Sequence, residues 1–519
     1  MIDDQTAATA KIDAWLDAAE PFVGEFSSLR YFAVAALIVA SVSIFMLFGE
    51  FHAYSSDAGQ HYALVRALMD LEQWGRPLAT PNLGGLPFYP PLSHWMAAGV
   101  GKLLGSGLIG MTVVASASVG LFYLAMFVMS LRIDRRAPVF AALITICFAL
   151  LRGPVFGRMV VNNYFYAQAV GSAIAALVLL IALYKWRSWN GIALDFLVLV
   201  SGQVVVCTHL MPAAQLLAAY CTILLMVAWT RSSWRHLWRL VVFTGLSLTL
   251  TALNPFAQNN YLIAQSGGGA HINFFGERIT QIFLLVGGVV ASIKLIQRTV
   301  KNEDAGMFLG CMGLSACGLA FLQMLLFWIG IGSNYAIAKH MFILVAILIF
   351  VLAANLALRR TTQAEHQNFG KPATTLILCS LLALLTTRID MYPSILNLSK
   401  VVQFQTAVRE LSSRAKSSDD RGMIALASEW PPNIAYGITI GDLRFPMGIA
   451  GLILDHKPLP PDRVSMAFMP TSDPSAPRTC AIPAFSNQIA VALDYACILE
   501  AEIQIGEGPK PSARGDQVQ

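Results

Sequence analysis

Long apolar runs, broken by short polar clusters, dominate the chain. A hydrocarbon core about 30 Å thick is crossed by roughly 20 apolar residues of helix. The first run of that kind is Tyr31 to Gly49. Further runs lie near 106–131, 137–151, 167–184, 192–208, 210–229, 238–254, 278–296, 306–328, 335–357 and 372–388. The pattern predicts a polytopic α-helical membrane protein with about 11 transmembrane helices. Residues 1–30 are polar, with Ile12, Trp15, Leu16 and Phe22 spaced as an amphipathic surface helix. A cleaved signal peptide fits poorly, because the apolar run begins late and is long.

Basic residues fall into every second loop. Arg132, Arg135 and Arg136 follow the second span, and Lys185 and Arg187 follow the fourth. Arg231, Arg235 and Arg239 follow the sixth, Lys294, Arg298 and Lys301 the eighth, and Arg359, Arg360 and Lys371 the tenth. By the positive-inside rule this places the N-terminus in the cytoplasm; a bacterial inner membrane is the expected location. The first outer loop, 50–104, and everything after Arg388 then lie outside. The expected division is a cytoplasmic segment 1–30, a membrane domain 31–390, a small extracytoplasmic α+β domain 391–506 and a disordered tail 507–519.

Composition narrows the field further. Of 519 residues, 56% are hydrophobic and 13% charged, against about a quarter charged in soluble domains. Intrinsic disorder is excluded, since it needs the opposite balance. A net charge of +5 without a basic soluble domain excludes a nucleic-acid partner. Six cysteines sit within spans as small apolar fillers, and only Cys480 and Cys497 lie in the tail. In an oxidising compartment that pair is a disulfide candidate, or two reduced thiols.

Ionisable groups at membrane depth are costly, so each is a candidate for function. The first outer loop opens Glu50-Phe-His52-Ala-Tyr54-Ser-Ser-Asp57-Ala-Gly-Gln-His61, and 57–74 reads as a helix. Asp57 and His61 stand four apart, on one helical face. The pair suits a general base and a group that orients either it or a phosphate; alternatively Asp57 only caps the helix.

The loop continues Gly75-Arg76-Pro77, Asn82-Leu-Gly84-Gly85-Leu-Pro87 and Tyr89-Pro90-Pro91-Leu92-Ser93. This succession resembles the first loop of the GT-C fold glycosyltransferases over roughly residues 30–130, and the remaining chain resembles them in architecture. The resemblance implies sugar transfer from a polyprenyl-phosphate donor to a hydroxyl of a glycan or lipid acceptor at the outer face. It implies a catalytic acidic residue at Asp57, which takes the acceptor proton while phosphate leaves. Positive charge is then needed at the phosphate. Arg158, His209, Lys339 and His340 all fall on the side of Asp57 and are candidates to supply it, or else snorkel to lipid or pack in the bundle. Arg388 with Asp390 marks the end of the last span or anchors phosphate.

Tyr89, Asn162, His271, Glu277 and Arg278 are candidates for the donor and acceptor cleft. Gly267 to Gly269 with Glu277 and Arg278 form a lid or an ordinary loop before a helix start. Trp430 and Tyr436 stack on sugar or pack in the tail's core. Asp57 has no Asp-x-Asp partner, and His52 with His61 makes no ligand set, so a reaction without cofactor is favoured, a divalent cation being the alternative. Two other classes compete: a transporter or flippase of a lipid-linked saccharide, and an inert scaffold in envelope glycan assembly. A transporter would show inverted repeats and midplane charges, and neither stands out here.

Overall fold

The protein is described by a computed structural model covering 29–47, 57–70, 89–150, 155–163, 166–189, 191–230, 232–257, 278–300, 304–358, 423–426, 464–471, 478–486, 490–494 and 496–497. The N-terminal segment, the expected span 372–388 and the tail after Cys497 lie outside these residues.

Apolar runs become helices because a helix closes its own backbone hydrogen bonds, which lipid cannot do for it. The helices are α1 (Leu29–Leu47), α2 (Asp57–Asp70), α3 (Leu92–Leu104), α4 (Gly107–Leu131), α5 (Ala137–Leu150) and the short α6 (Arg158–Asn163). They continue with α7 (Tyr166–Lys185), α8 (Gly191–Val206), α9 (Leu210–Thr230), α10 (Trp234–Leu253), α11 (Arg278–Thr299), α12 (Asp304–Trp328) and α13 (Asn334–Leu358). Among the described residues, seven helices are long and apolar enough to cross a membrane: α4, α7 and α9 to α13. The expected spans at 31–49, 137–151 and 192–208 also coincide with apolar helices, though shorter ones.

The bundle is built around α4, which packs against α1, α2, α3 and α7. Close approach to α3 is possible because position 110 is glycine: a Cβ there would collide with the Ala97 carbonyl and the Gly101 nitrogen. Small residues at such crossings let helix backbones meet where no hydrophobic effect drives them together. On the far flank α13 packs against α5, α11 and α12. Helix α10 is at the periphery and presents Trp238, Val241, Leu248 and Leu253 outward, the face expected toward lipid. Cys311 and Cys317 are buried as expected of fillers, but Cys147 is exposed on α5 and Cys207 and Cys221 are only partly covered.

The two ends of the bundle differ in chemistry. At one end Arg187 pairs with Asp304 at 2.5 Å, and Arg239 pairs with Asp195 at 2.8 Å. The Tyr220 hydroxyl donates to Asp195 as well, at 2.8 Å, tying α8, α9 and α10 together. Arg298 donates to the Asn355 carbonyl at 3.1 Å, and Arg132 lies 3.8 Å from the Tyr184 ring centroid. The other end carries histidines.

In the tail, β1 (Met423–Leu426), β2 (Val464–Pro470) and β3 (Ala490–Asp494) form a sheet in that order. The first pair is parallel and the second antiparallel. A disulfide joins Cys480 to Cys497, with Cα atoms 5.6 Å apart.

Candidate functional site

Four of the chain's nine histidines meet at the end of the bundle away from the arginine pairs. Helix direction puts them there. Helix α7 starts at Tyr166, whose hydroxyl donates to the Ser93 carbonyl, and ends at Lys185. At 1.5 Å per residue those ends are about 30 Å apart. Likewise α13 carries Lys339 and His340 in its first turns and Asn355 in its last.

Each histidine arrives on a different element. His61 stands one turn into α2, whose first residue is Asp57. The Asp57 side chain lies outside the described residues, so its backbone placement is what the fold supplies. His94 stands in the first turn of α3, started by Pro90 and Pro91, which cannot continue a preceding helix. The Leu92 N–H donates to the Cys207 carbonyl at 2.9 Å, fixing the start of α3 beside the α8–α9 turn. That turn holds His209.

The rings are close. His61 Nδ1 and His94 Nε2 are 2.8 Å apart, a hydrogen bond between buried imidazoles. The Tyr89 ring meets His61 edge-on at 5.3 Å, and the Tyr166 ring does so at 5.9 Å. The Pro90 backbone favours the protonated form of His94, and Ser93 Oγ lies 3.3 Å from His94 Nδ1. His209 Nδ1 accepts from the Met211 backbone N–H at 3.2 Å. Lys339 is buried, with Nζ 4.3 Å from the Tyr335 ring centroid. Gln168 Nε2 donates to the Lys339 carbonyl at 3.1 Å, and its Oε1 is buried without a partner.

Electrostatics keeps the rings uncharged. Burial pushes His61 well below the usual imidazole value, and the neighbouring His94, Lys339 and His209 push it the same way. Burial drives His94 down to about 3 against the opposing pull of the Pro90 carbonyl. Burial, then Lys339 and His340, lower His209 as well. Neutral imidazoles beside one buried lysine are suited to accept and donate single hydrogen bonds around an anion.

Of the residues expected from sequence, His61, His209, Lys339 and His340 come together here with Tyr89. Arg158 opens α6 at the same end of the bundle, and Asn162 belongs to the same short helix, its side chain outside the described residues. Arg278 stacks 4.5 Å from the Phe327 ring centroid at the start of α11. His271, Glu277, Arg388, Asp390, Trp430 and Tyr436 lie outside the described residues. Among the described residues no group of three His, Cys, Asp or Glu is arranged to hold a metal ion. His94, Tyr166 and Gln168 were not singled out. The signal for His94 was its position directly after Tyr89-Pro90-Pro91-Leu92-Ser93 in the loop that already held Asp57.

No family sequence model matches the chain, and no curated protein matches it by sequence. Among solved structures, it is similar to ArnT from Cupriavidus metallidurans bound to undecaprenyl phosphate. The identity is 13% and the TM-score 0.45, over 90% of this chain and 98% of that one. It is also similar to the Archaeoglobus fulgidus oligosaccharyltransferase in its apo form, at 13% identity and TM-score 0.44, over 85% of this chain and 70% of the other. The archaeal oligosaccharyltransferase AglB in complex with an inhibitory peptide and a dolichol-phosphate aligns at 11% identity and TM-score 0.42, over 85% and 69%.

Proposed function

We propose that the chain is a GT-C type glycosyltransferase that moves a sugar from a polyprenyl-phosphate donor to a hydroxyl of a glycan or lipid acceptor. The observation that carries the reading is the convergence of His61, His94, His209 and Lys339 at one end of the bundle, one helical turn from Asp57. That end faces outward in this reading, because the arginine-rich loops gather at the other and positive charge stays inside. The Cys480–Cys497 disulfide supports an oxidising compartment for the tail. The full count is about 11 spans in an inner membrane, the last of them at 372–388.

The chemistry divides between two sides of the site. The acceptor oxygen attacks the anomeric carbon of the donor as the bond from that carbon to the phosphate oxygen breaks. The electron pair leaves with the phosphate, and the hydroxyl proton goes to Asp57. A sugar hydroxyl is a weak nucleophile, so a carboxylate at the oxygen assists by taking the proton. Phosphate leaves without protonation when positive charge and N–H donors meet it, and Lys339, His209, His340 and Arg158 are assigned to that side. Tyr89 and Asn162 are assigned to the sugar cleft, with His271, Glu277 and Arg278 at its entrance. Neither metal nor cofactor is assigned.

Purified protein assayed against a panel of polyprenyl-phosphate sugars tests this. Asp57→Asn should lower transfer on the order of 100-fold or more with the fold intact. Full activity in the variant rejects the base assignment. If no donor is used while labelled lipid-linked glycan crosses proteoliposomes, the chain is a transporter instead.

A further inference from the structure

One buried acceptor at the histidine end has no partner among the described residues. Gln168, in the first turn of α7, is 2% exposed, and its Nε2 donates to the Lys339 carbonyl at 3.1 Å. A carbonyl can only accept, so this bond fixes which way round the amide sits. The other end of the amide, Oε1, is buried and receives no hydrogen bond. Lys339 does not fill it: its ammonium runs back one turn, to 4.3 Å from the Tyr335 ring centroid. An acceptor taken out of water and left unmatched costs stability. Such an atom either meets a donor that arrives with a ligand or holds a water.

Its surroundings belong to the ligand end of the bundle. Two residues earlier, the Tyr166 hydroxyl donates to the Ser93 carbonyl, and the Tyr166 ring stands 5.6 Å from that of His94. Gly171, three residues later, shares a face of α7 with Gln168. A Cβ there would stand 2.6 Å from Thr208 Oγ1 and 3.1 Å from Pro212. That face therefore looks toward the turn that carries His209, while the amide itself touches the first turns of α13. Chemistry then selects the ligand group. A carbonyl oxygen repels phosphate oxygens and finds no donor on a polyprenyl chain. The sugar of a polyprenyl-phosphate donor carries hydroxyls, and its anomeric carbon is one bond from the phosphate oxygen.

We propose that Gln168 is a specificity-determining residue for the donor: with its amide set by the Lys339 carbonyl, Oε1 accepts a hydrogen bond from a hydroxyl of the lipid-linked sugar. The inference rests on the glycosyl-transfer reading and deepens it, since the site then recognises the sugar and not only the lipid phosphate. A sugar without that hydroxyl leaves the acceptor unmatched again and is rejected, which is how a buried hydrogen-bonding group discriminates.

Equilibrium binding to the full chain in nanodiscs tests this without acceptor or turnover. The probes are a panel of polyprenyl-phosphate hexoses and polyprenyl phosphate without sugar. Gln168→Met, similar in shape but without the amide, should weaken the best-bound hexose lipid on the order of tenfold and the sugarless lipid by less than about twofold. One monodeoxy form of that hexose lipid should bind wild type on the order of tenfold more weakly than its parent, and the variant should bind the two alike. Equal weakening of both lipids, as a lost resident water or a packing change would give, overturns the proposal, and so does no weakening of either. Melting without ligand is the second arm. Removing the unmatched acceptor offsets the lost bond to Lys339, so the variant should melt no lower than wild type. A variant that melts well below wild type, or does not fold, overturns the proposal, because the amide then serves the fold. If wild type transfers sugar while hexose binding is unaffected by Gln168→Met, the inference falls and the glycosyl-transfer reading stands. If hexose binding depends on Gln168 but wild type transfers no sugar, sugar recognition stands and that reading falls. A wild type that binds neither lipid overturns both.

Discussion

Acidification reads the histidine cluster directly. His94 lies at about 3 against an ordinary 6.5, with burial the larger cause and the Pro90 carbonyl opposing it. A group whose folded pKa lies below its unfolded value contributes stability that is complete above the unfolded value. That stability is lost as pH falls through the interval between the two. For His94 the interval runs from 6.5 down to about 3. Taken alone, His94 then costs ~2 kcal/mol in going from about pH 7.5 to about pH 5. With an unfolding entropy of roughly 2 cal/mol/K per residue, the melting temperature of a chain this long falls on the order of 2 °C. His61 and His209 are displaced the same way, burial first, so the whole protein should lose more than this share. The assay is intrinsic tryptophan fluorescence of purified protein in detergent, melted across the pH range beside His94→Gln. The variant keeps hydrogen-bonding groups at the site and removes one titration. Its melting temperature should fall less steeply than that of wild type by about the His94 share. A wild-type profile flat between those pH values, or parallel slopes in the two proteins, refutes the reasoning.

At the opposite end, Arg239→Gln leaves the Asp195 carboxylate with only Tyr220, and breaking a pair this covered should cost about 3 kcal/mol. Adding Asp195→Asn should restore more than half of that, read by the same melts; no rescue would mean that the charge is not the cause. Gly171→Ala places a Cβ 2.6 Å from Thr208 Oγ1 and 3.1 Å from Pro212, which should cost about 1–3 kcal/mol and displace the turn that carries His209. Gly245→Ala, which meets nothing within 4 Å, is the control, and equal melts for the two would refute that packing. A polyprenyl phosphate at about 100 times its Kd should stabilise by ~2.7 kcal/mol. With the ligand concentration held at its pH 7.5 value, the gain should be larger at about pH 5.5, because the bound anion favours protonation of neighbouring imidazoles; a gain independent of pH would place the phosphate elsewhere.

The helices were legible because a lipid-spanning segment announces itself locally, through length and uniform apolarity. So were His61, His209, Lys339 and His340 as ionisable groups gathered at one end of the bundle, since such groups are conspicuous in so apolar a chain. What sequence could not supply was adjacency. His94 lies 33 positions from His61 and meets it because α3 packs against α2. Asp195 stands alone inside an apolar run of the sequence, and its partners Arg239 and Tyr220 reach it from two other helices. In the tail, the short apolar runs Met423–Ser428 and Ile489–Leu493 overlap β1 and β3, whereas Val464–Pro470 carries a weaker signal. That segment follows a Pro-Pro pair and ends in proline, which conceals a strand whose partners are both remote in sequence.

The same burial that makes the cluster acid-sensitive also makes it useful to an anionic substrate. A solvated lysine and four solvated histidines would bind phosphate weakly and hold their protons by pH alone. Buried, the histidines are held toward the neutral form, and the Met211 N–H makes His209 Nδ1 an acceptor. Charge at the site then depends on what occupies it. Burial first, and then Lys339, hold His209 toward the neutral form, and an anion that offsets Lys339 lowers the cost of protonating the ring.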